Sequence, residues 1–325
     1  MAVTSLPIYS LPASKLLSSI TTFVNQLRFK DTLKPSNMVK NFVNNSKVGK
    51  VDTGKGIVFT FKKDLQPVNA LSKTSSVLTV TDPKVEQEII AIDTYNFIPL
   101  SVSRTLLYDA VPNGELVDTW LNYLYSLLED TQKFHEFDVL KNTLLGWTPT
   151  QATQTITIDL IDTTGMTGAE LVASQQWNAS EIAKKVRKTI NNLQNKSKAY
   201  TDVSTTMTAL DKSDLRIIMN DTFETNFLAD AMASLYHSDK VGEMVEGPIK
   251  DVLNEDVWSG GNENTICYLM DKDKLAMADF YKLQMSFTDA STLYTNSFLH
   301  FAYGVGIFKN AVGIKFVANY VTPTP

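Results

Sequence analysis

Two rows of apolar residues at helical spacing constrain this chain most. Leu116, Trp120, Leu124 and Leu127 stand at i, i+4, i+8 and i+11, and Phe134, Phe137, Leu140 and Leu144 continue the stripe after a polar break at 129–133. Such spacing puts one apolar face on a helix. Pro112 and Asn113 open the pattern, and Gly146 closes it just before Trp147 and Pro149. The run predicts a helix over 113–145, well above the mean of about 11–12 residues, and so a spine rather than one rod of a bundle.

Around that spine the periodicity keeps changing. Leu16, Leu17, Ile20, Phe23, Val24 and Leu27 predict an amphipathic helix over 14–27. The stretch 34–50 is rich in Lys, Asn and Ser, with Pro35 as a breaker; it holds too few apolar residues to close a core and reads as an extended arm. Alternation follows, with Ile57, Phe59 and Phe61 pointing one way and Val58, Thr60 and Lys62 the other. A second extended segment runs through 77–81 and 85–93, so the whole reads as a long two-stranded excursion. A two-stranded hairpin alone is marginal in water. Its apolar faces need a partner, which another copy of the chain could supply.

Beyond the spine, Ile156, Ile158 and Leu160 alternate as a strand. Asn178 and Glu181 have capping-box spacing in front of a helical face of Ile182, Val186, Ile190 and Leu193. Compact apolar strands are expected at 215–219 and 266–270, a helix capped by Asp221 with Glu224, a loop region over 242–264, and a short helix from Asp271 through Met277. The chain ends on alternating strands: Phe301, Tyr303, Val305 and Ile307, then Val312, Ile314, Phe316 and Tyr320. The expected fold class is α+β.

Composition narrows the function. The 325 residues carry 35 acidic and 30 basic side chains, a formal charge of −5, so the chain lacks the basic excess of a protein that grips nucleic acid along its length. With 43% hydrophobic residues it can bury a sizeable core, which excludes wholesale disorder. The single Cys267 rules out a disulfide framework within the chain, and no Cys/His cluster is present to hold zinc. No signal-peptide pattern is seen, and the most apolar run, 298–308, is far shorter than the ~20 residues of a membrane span. A soluble protein made in a reducing compartment is expected.

Patterns that imitate active sites fail on detail. Gly49, Gly54 and Lys55 have the spacing of a phosphate-binding loop, but Gly56 stands where magnesium needs Ser or Thr, and a strand pattern rather than a helix follows. A nucleotide-binding enzyme using 49–56 is disfavoured on those grounds. Asp271 and Asp273 begin like a calcium loop, yet Leu275, Ala276 and Lys282 occupy positions that need other residues. His135, His237 and His300 are isolated in sequence, and no Gly-x-Ser-x-Gly elbow surrounds a serine. No catalytic residue, cofactor or metal ligand is assigned. Lys184, Lys185, Arg187 and Lys188 make one helix side basic; it reads as a solvated face, because Glu181 and neighbouring Asn residues dilute it. Trp120 and Trp147 read as packing anchors.

The order of elements carries a resemblance. The stretch from Ser213 through Asn220 with its following helix, the run from Ile266 to Asp271, and the end from Asn296 to Gly304 leading into Ala311 to Phe316 are its most telling parts. Together with the arm, the β excursion and the spine helix, the chain resembles the major capsid protein of tailed bacteriophages, a fold shared with encapsulins and the capsid floor of herpesviruses. The resemblance implies an N-terminal arm at 1–47, an extended β loop at 48–100 lying over a neighbouring subunit, and a peripheral domain with the spine helix at 101–199. An axial domain at 200–281 and a return to peripheral strands and a C-terminal tail at 282–325 complete it. It implies a non-enzymatic protein without cofactor that self-assembles as hexamers and pentamers into an icosahedral shell around double-stranded DNA. Scaffold and portal proteins are implied as further partners, the virion as destination and the host cytoplasm as the place of assembly, with no membrane involved. The mildly acidic balance suits such a container, because a near-neutral wall lets DNA slide. An encapsulin-type compartment shell is the alternative. Lys55, Ile57, Phe59, Phe61, Lys62 and Trp120 are then the expected intersubunit contacts. Some relatives weld the loop to a neighbour by a Lys–Asn isopeptide bond; Lys55, Lys62 and Lys63 are present, but no partner is identified and no crosslink is expected.

Overall fold

The computed structural model describes residues 33–51, 56–66, 68, 82–103, 114–203, 206–223, 248–254, 256, 258 and 262–321, with the backbone alone over 114–121. The helix expected at 14–27, the segment 77–81 and most of the helix after Asp221 lie outside them. In chain order the elements are α1 (Asn37–Ser46), β1 (Lys47–Lys50), β2 (Gly56–Lys62), β3 (Val85–Ala91), β4 (Thr94–Ser103), α2 (Gly114–Leu145), β5 (Thr155–Ile161), α3 (Gly168–Leu193), β6 (Leu215–Asn220), β7 (Ile249–Leu253), β8 (Thr265–Asp271), β9 (Leu275–Thr288), β10 (Tyr294–Ile307) and β11 (Gly313–Val321). The class is α+β, and α2 is the expected spine, unbroken across the polar stretch at 129–133.

The chain divides into two compact units: Met1–Ser36, Asp93–Glu136 and Phe280–Tyr303 form one, and Asn37–Ile92, Phe137–Asp279 and Gly304–Pro325 the other. The second unit is built on a five-stranded sheet in the order β5-β11-β8-β6-β7. β6 is buried along its whole length and β8 along all but its last residue, so both read as unbroken apolar runs; a strand covered on both faces needs no alternation. α3 lays Ala179, Ile182, Val186, Ile190 and Leu193 into a core with Ile158, Leu160, Leu215, Ile217, Ile314 and Phe316. This sheet takes strands from 101–199, from 200–281 and from 282–325.

Five local expectations are corrected here. The stretch 34–50 is not an extended arm: Val39, Phe42 and Val43, at i, i+3 and i+4, are buried on α1, and the Phe42 ring meets Phe137 at 5.5 Å. β1 then pairs in parallel with Met277–Asp279 of β9. Asn178 does not cap a helix, since α3 has been running since Gly168. Its side chain instead accepts from Ile161 N at 2.7 Å and donates to Ile161 O at 2.9 Å, tying the middle of α3 to the end of β5. No helix starts at Asp271. That residue closes β8, its carboxylate accepts from Asp273 N at 3.1 Å in a local turn, and β9 begins at Leu275 with four buried residues. An Asp that caps a turn looks in sequence like one that caps a helix. Finally, β7 lies inside the region read as loop, and β4 continues beyond the excursion as a strand of its own.

In the first unit β4 and β10 pair antiparallel from Thr94↔Tyr303 to Ser103↔Tyr294. β9 turns into β10 through Asp289, whose carboxylate accepts from Ser291 N at 2.9 Å and Thr292 Oγ1 at 2.9 Å. His135 of α2 meets this sheet, with Nε2 2.8 Å from the Tyr303 hydroxyl and 3.0 Å from Asn96 Nδ2.

Candidate assembly surfaces

β2 and β3 form the expected hairpin, in register from Gly56↔Ala91 to Lys62↔Val85. Period two sorts its side chains onto two faces. On the inner face the Phe59 and Phe61 rings lie 4.4 and 5.7 Å from that of Phe308, and Ile57 sits beside Gly49 of β1. The apolar face expected to wait for another copy thus finds cover in its own chain. Glu88, on this inner face, anchors the hairpin: its carboxylate accepts from Lys309 N at 2.8 Å, from Asn310 N at 2.7 Å, and from the Asn310 side-chain amide. Gly304 permits the close approach, since a Cβ there would stand 2.1 Å from Ala91 O. At the far end of β2, Lys63 O accepts from Met207 N at 2.9 Å and Asp64 pairs with Lys198 at 3.0 Å.

The outer face is different. Val58 and Ile89 stand directly opposite one another, 52% and 66% exposed, and Val85, opposite the exposed Lys62, is 50% exposed. Of the residues expected at contacts, Lys62 lies on this face and Ile57, Phe59 and Phe61 on the other. Lys55 and the Trp120 side chain lie outside the described residues.

The first unit carries a second apolar surface. Tyr281, Leu283, Met285 and Phe287 alternate onto one face of β9, and Phe287 stacks on Phe298 at 5.8 Å. Phe298 in turn lies 6.0 Å from Phe97. Phe287 and Phe97 are both 57% exposed. Period-two spacing over 281–287 was available in the sequence to find this surface; the helix expected just before it hid the strand.

Two buried cations brace the second unit. Arg216, on β6, pairs with Asp251 of β7 at 2.6 Å and donates to Ser46 Oγ at 2.8 Å and Phe42 O at 3.0 Å, so it clamps the end of α1 to the sheet. Burial pulls its guanidinium pKa below the usual value, and the Asp251 carboxylate acts the other way. Lys274, in the β8–β9 turn, binds Asp202 at 2.9 Å, Phe308 O at 3.0 Å and Ala311 O at 2.9 Å, with its ammonium 4.9 Å from the Trp147 ring centroid. Burial lowers its pKa, against the pull of Asp202. Both are bracing rather than reactive groups, each saturated by acceptors from distant parts of the chain.

None of the enzyme-like patterns gains support. Lys47–Lys50 is a strand and Gly56–Lys62 another, so no helix N-terminus follows the glycines. Among the described residues no three His, Cys, Asp or Glu side chains are grouped to hold a metal. Among them, too, no helix is long and apolar enough to cross a membrane. Cys267 is fully buried in β8, and burial pushes its thiol pKa up, which leaves it unreactive.

Comparison with known proteins bears on the fold and the family. A search of curated proteins gives no match. A chain in the structure of the head fiber and inner core protein gp22 of native bacteriophage P68 is similar at 11% identity with a TM-score of 0.62, over 97% of this chain and 90% of that one. The capsid structure of Staphylococcus phage Andhra gives 12% and 0.61, over 98% and 95%. The capsid asymmetric unit of cyanophage Pam1 gives 11% and 0.58, over 98% and 99%. At such identities these neighbours establish the fold. The family rests on a sequence model described as Phi29-like phage major capsid protein, which matches residues 53–315 and so runs from the hairpin to the start of β11. A chain with that match, and with apolar strand faces left open in the single subunit, belongs to the Phi29-like phage major capsid protein family, whose members are structural, shell-forming components of the virion.

Proposed function

We propose that this capsid protein assembles as hexamers and pentamers, that its β2–β3 hairpin lies over a neighbouring subunit by its outer face, and that the shell encloses double-stranded DNA. In this reading 48–100 serves as the extended loop, α2 as the spine, and 200–281 turns toward the symmetry axes. Scaffold and portal proteins are the further partners, and the host cytoplasm is where assembly takes place. The observation that carries the reading is the sorting of the hairpin: its inner face is held by Phe308 and Glu88, while Val58, Val85 and Ile89 are exposed on its outer face. Burying such side chains stabilises by roughly 25 cal/mol per Å². Repeated around closed symmetry, many modest contacts of this kind make a rigid shell.

The test is size exclusion and negative-stain microscopy of the purified chain beside a Val58→Asp/Ile89→Asp variant. The wild type should give rings, sheets or shells. The variant should keep the wild-type circular dichroism and give no closed particles. Equal assembly of both would remove the hairpin from the interface, and a wild type that stays monomeric under every condition would overturn the reading.

A further inference from the structure

We propose that the solvent face of the C-terminal half of α3 binds the phosphodiester backbone of duplex DNA without reading its sequence. The proposal rests on the reading of DNA as the enclosed cargo and gives it a surface. Residues 184–198 hold Lys184, Lys185, Arg187, Lys188, Lys196 and Lys198 and no acidic residue, in a chain where acids outnumber bases. Ile182, Val186, Ile190 and Leu193 are buried against the sheet, so the basic residues occupy the opposite side. Lys184, Lys185, Arg187, Lys188 and Lys196 are exposed, with Asn191, Asn192 and Asn195 beside them.

The structure removes the reasons for reading this as an ordinary solvated face. Glu181, which in sequence dilutes the charge, reaches only Lys184, at 2.8 Å; Asp64 takes Lys198. Lys185, Arg187, Lys188 and Lys196 have no carboxylate partner among the described residues. The last turn of α3 holds no basic residue, so these side chains are not there to neutralise the helix dipole. Lysine, arginine and asparagine donors are the groups that hold phosphates in register.

The face also discriminates between partners. From Ile182 to Lys196 no large apolar side chain is exposed. It therefore lacks the aromatic or aliphatic anchor at the centre of most protein interfaces, and it lacks the stacking rings of a single-strand binder. Four unpaired cations predict weak binding, with a salt slope of about −3.6 and a roughly hundredfold loss of affinity between ~50 and ~200 mM salt. A grip of that size positions DNA and still lets it slide.

The test measures fluorescence anisotropy of a random-sequence duplex with the unassembled full-length chain across that salt range. A Lys185→Gln/Arg187→Gln/Lys188→Gln variant should assemble like the wild type by negative stain and lose about 2.7 units of slope. Lys309→Gln, exposed elsewhere, should change it by no more than about one unit. A triple variant that binds with the wild-type slope overturns the α3 assignment and leaves DNA as cargo. Unassembled wild-type chain that binds no duplex at low salt, yet forms shells under assembly conditions, overturns the assignment and leaves the shell reading intact. Polyglutamate that displaces the probe as readily as unlabelled duplex would move the face to an acidic protein partner, and so also overturn it.

Discussion

Arg216 joins a helix end, a neighbouring strand and an aromatic ring through one fully buried side chain. Removing one member of such a pair leaves the other charge stranded, and Arg216→Ala should cost about 3–5 kcal/mol, read by denaturant unfolding of the unassembled chain. Arg216→Met should cost less only if Asp251→Asn accompanies it, because the penalty lies in the unpaired carboxylate. Asp271 carries a different signature: burial pushes its pKa up to about 6 against the hydrogen bond it accepts from Asp273 N, and the negative charges of Asp273 and Asp214 add to the rise. A carboxyl raised in the folded state favours folding when protonated. Its contribution is complete below about pH 4 and is lost as pH rises to about 6. Asp271→Asn keeps the acceptor for Asp273 N and removes the charge. It should therefore be more stable than wild type at pH 7, by about 1–2 kcal/mol after allowing for partial exposure, with the advantage vanishing near pH 4. An advantage independent of pH would show that the gain is not electrostatic.

At the level of elements, the hairpin and β10 meet where only glycine fits. Gly304→Ala places a Cβ against Ala91 O, a backbone atom that cannot swing aside, and should cost about 1–3 kcal/mol. Glu88→Gln keeps an acceptor for the same amides, whereas Glu88→Ala removes it. Hydrogen exchange at Lys309 and Asn310 should accelerate in the second and barely change in the first. These joints were not legible in the sequence, because Glu88 looks like any polar residue of an alternating strand until the 309–310 turn is seen to lie over it. What was legible is what local periodicity specifies: α2 from its stripe, β2, β5 and β11 from alternation, β6 and β8 from their apolar runs. The misreadings share one cause. Asn178 and Asp271 are residues whose side chains satisfy backbone groups, and spacing alone does not say whether those groups belong to a helix end, a turn or another strand. The same limit hid α1, since three apolar residues suffice for a helix only when a surface such as Phe137 is there to receive them.

For the whole molecule the question is where the apolar residues go. Part of the 43% fills the core of the second unit, but the β9 face in the first unit leaves Leu283, Met285 and Phe287 about half exposed. Sheet faces of soluble monomers that meet water carry polar side chains at such positions. In a protein made to associate, an open apolar strand is instead an interface held in reserve. Leu283→Ser with Met285→Lys separates folding from assembly, because both side chains are more than half exposed in the isolated chain. The unassembled variant should unfold within about 0.5 kcal/mol of wild type. If the face is covered in the shell, each substitution forfeits about 1.5–3 kcal/mol of burial per contact. The threshold concentration for particle formation, followed by light scattering, should then rise at least about tenfold, since 1.4 kcal/mol is a factor of ten. A variant with a lowered unfolding midpoint would place these residues in the internal packing of the subunit. An unchanged threshold would leave the face open in the finished shell, where another protein could dock.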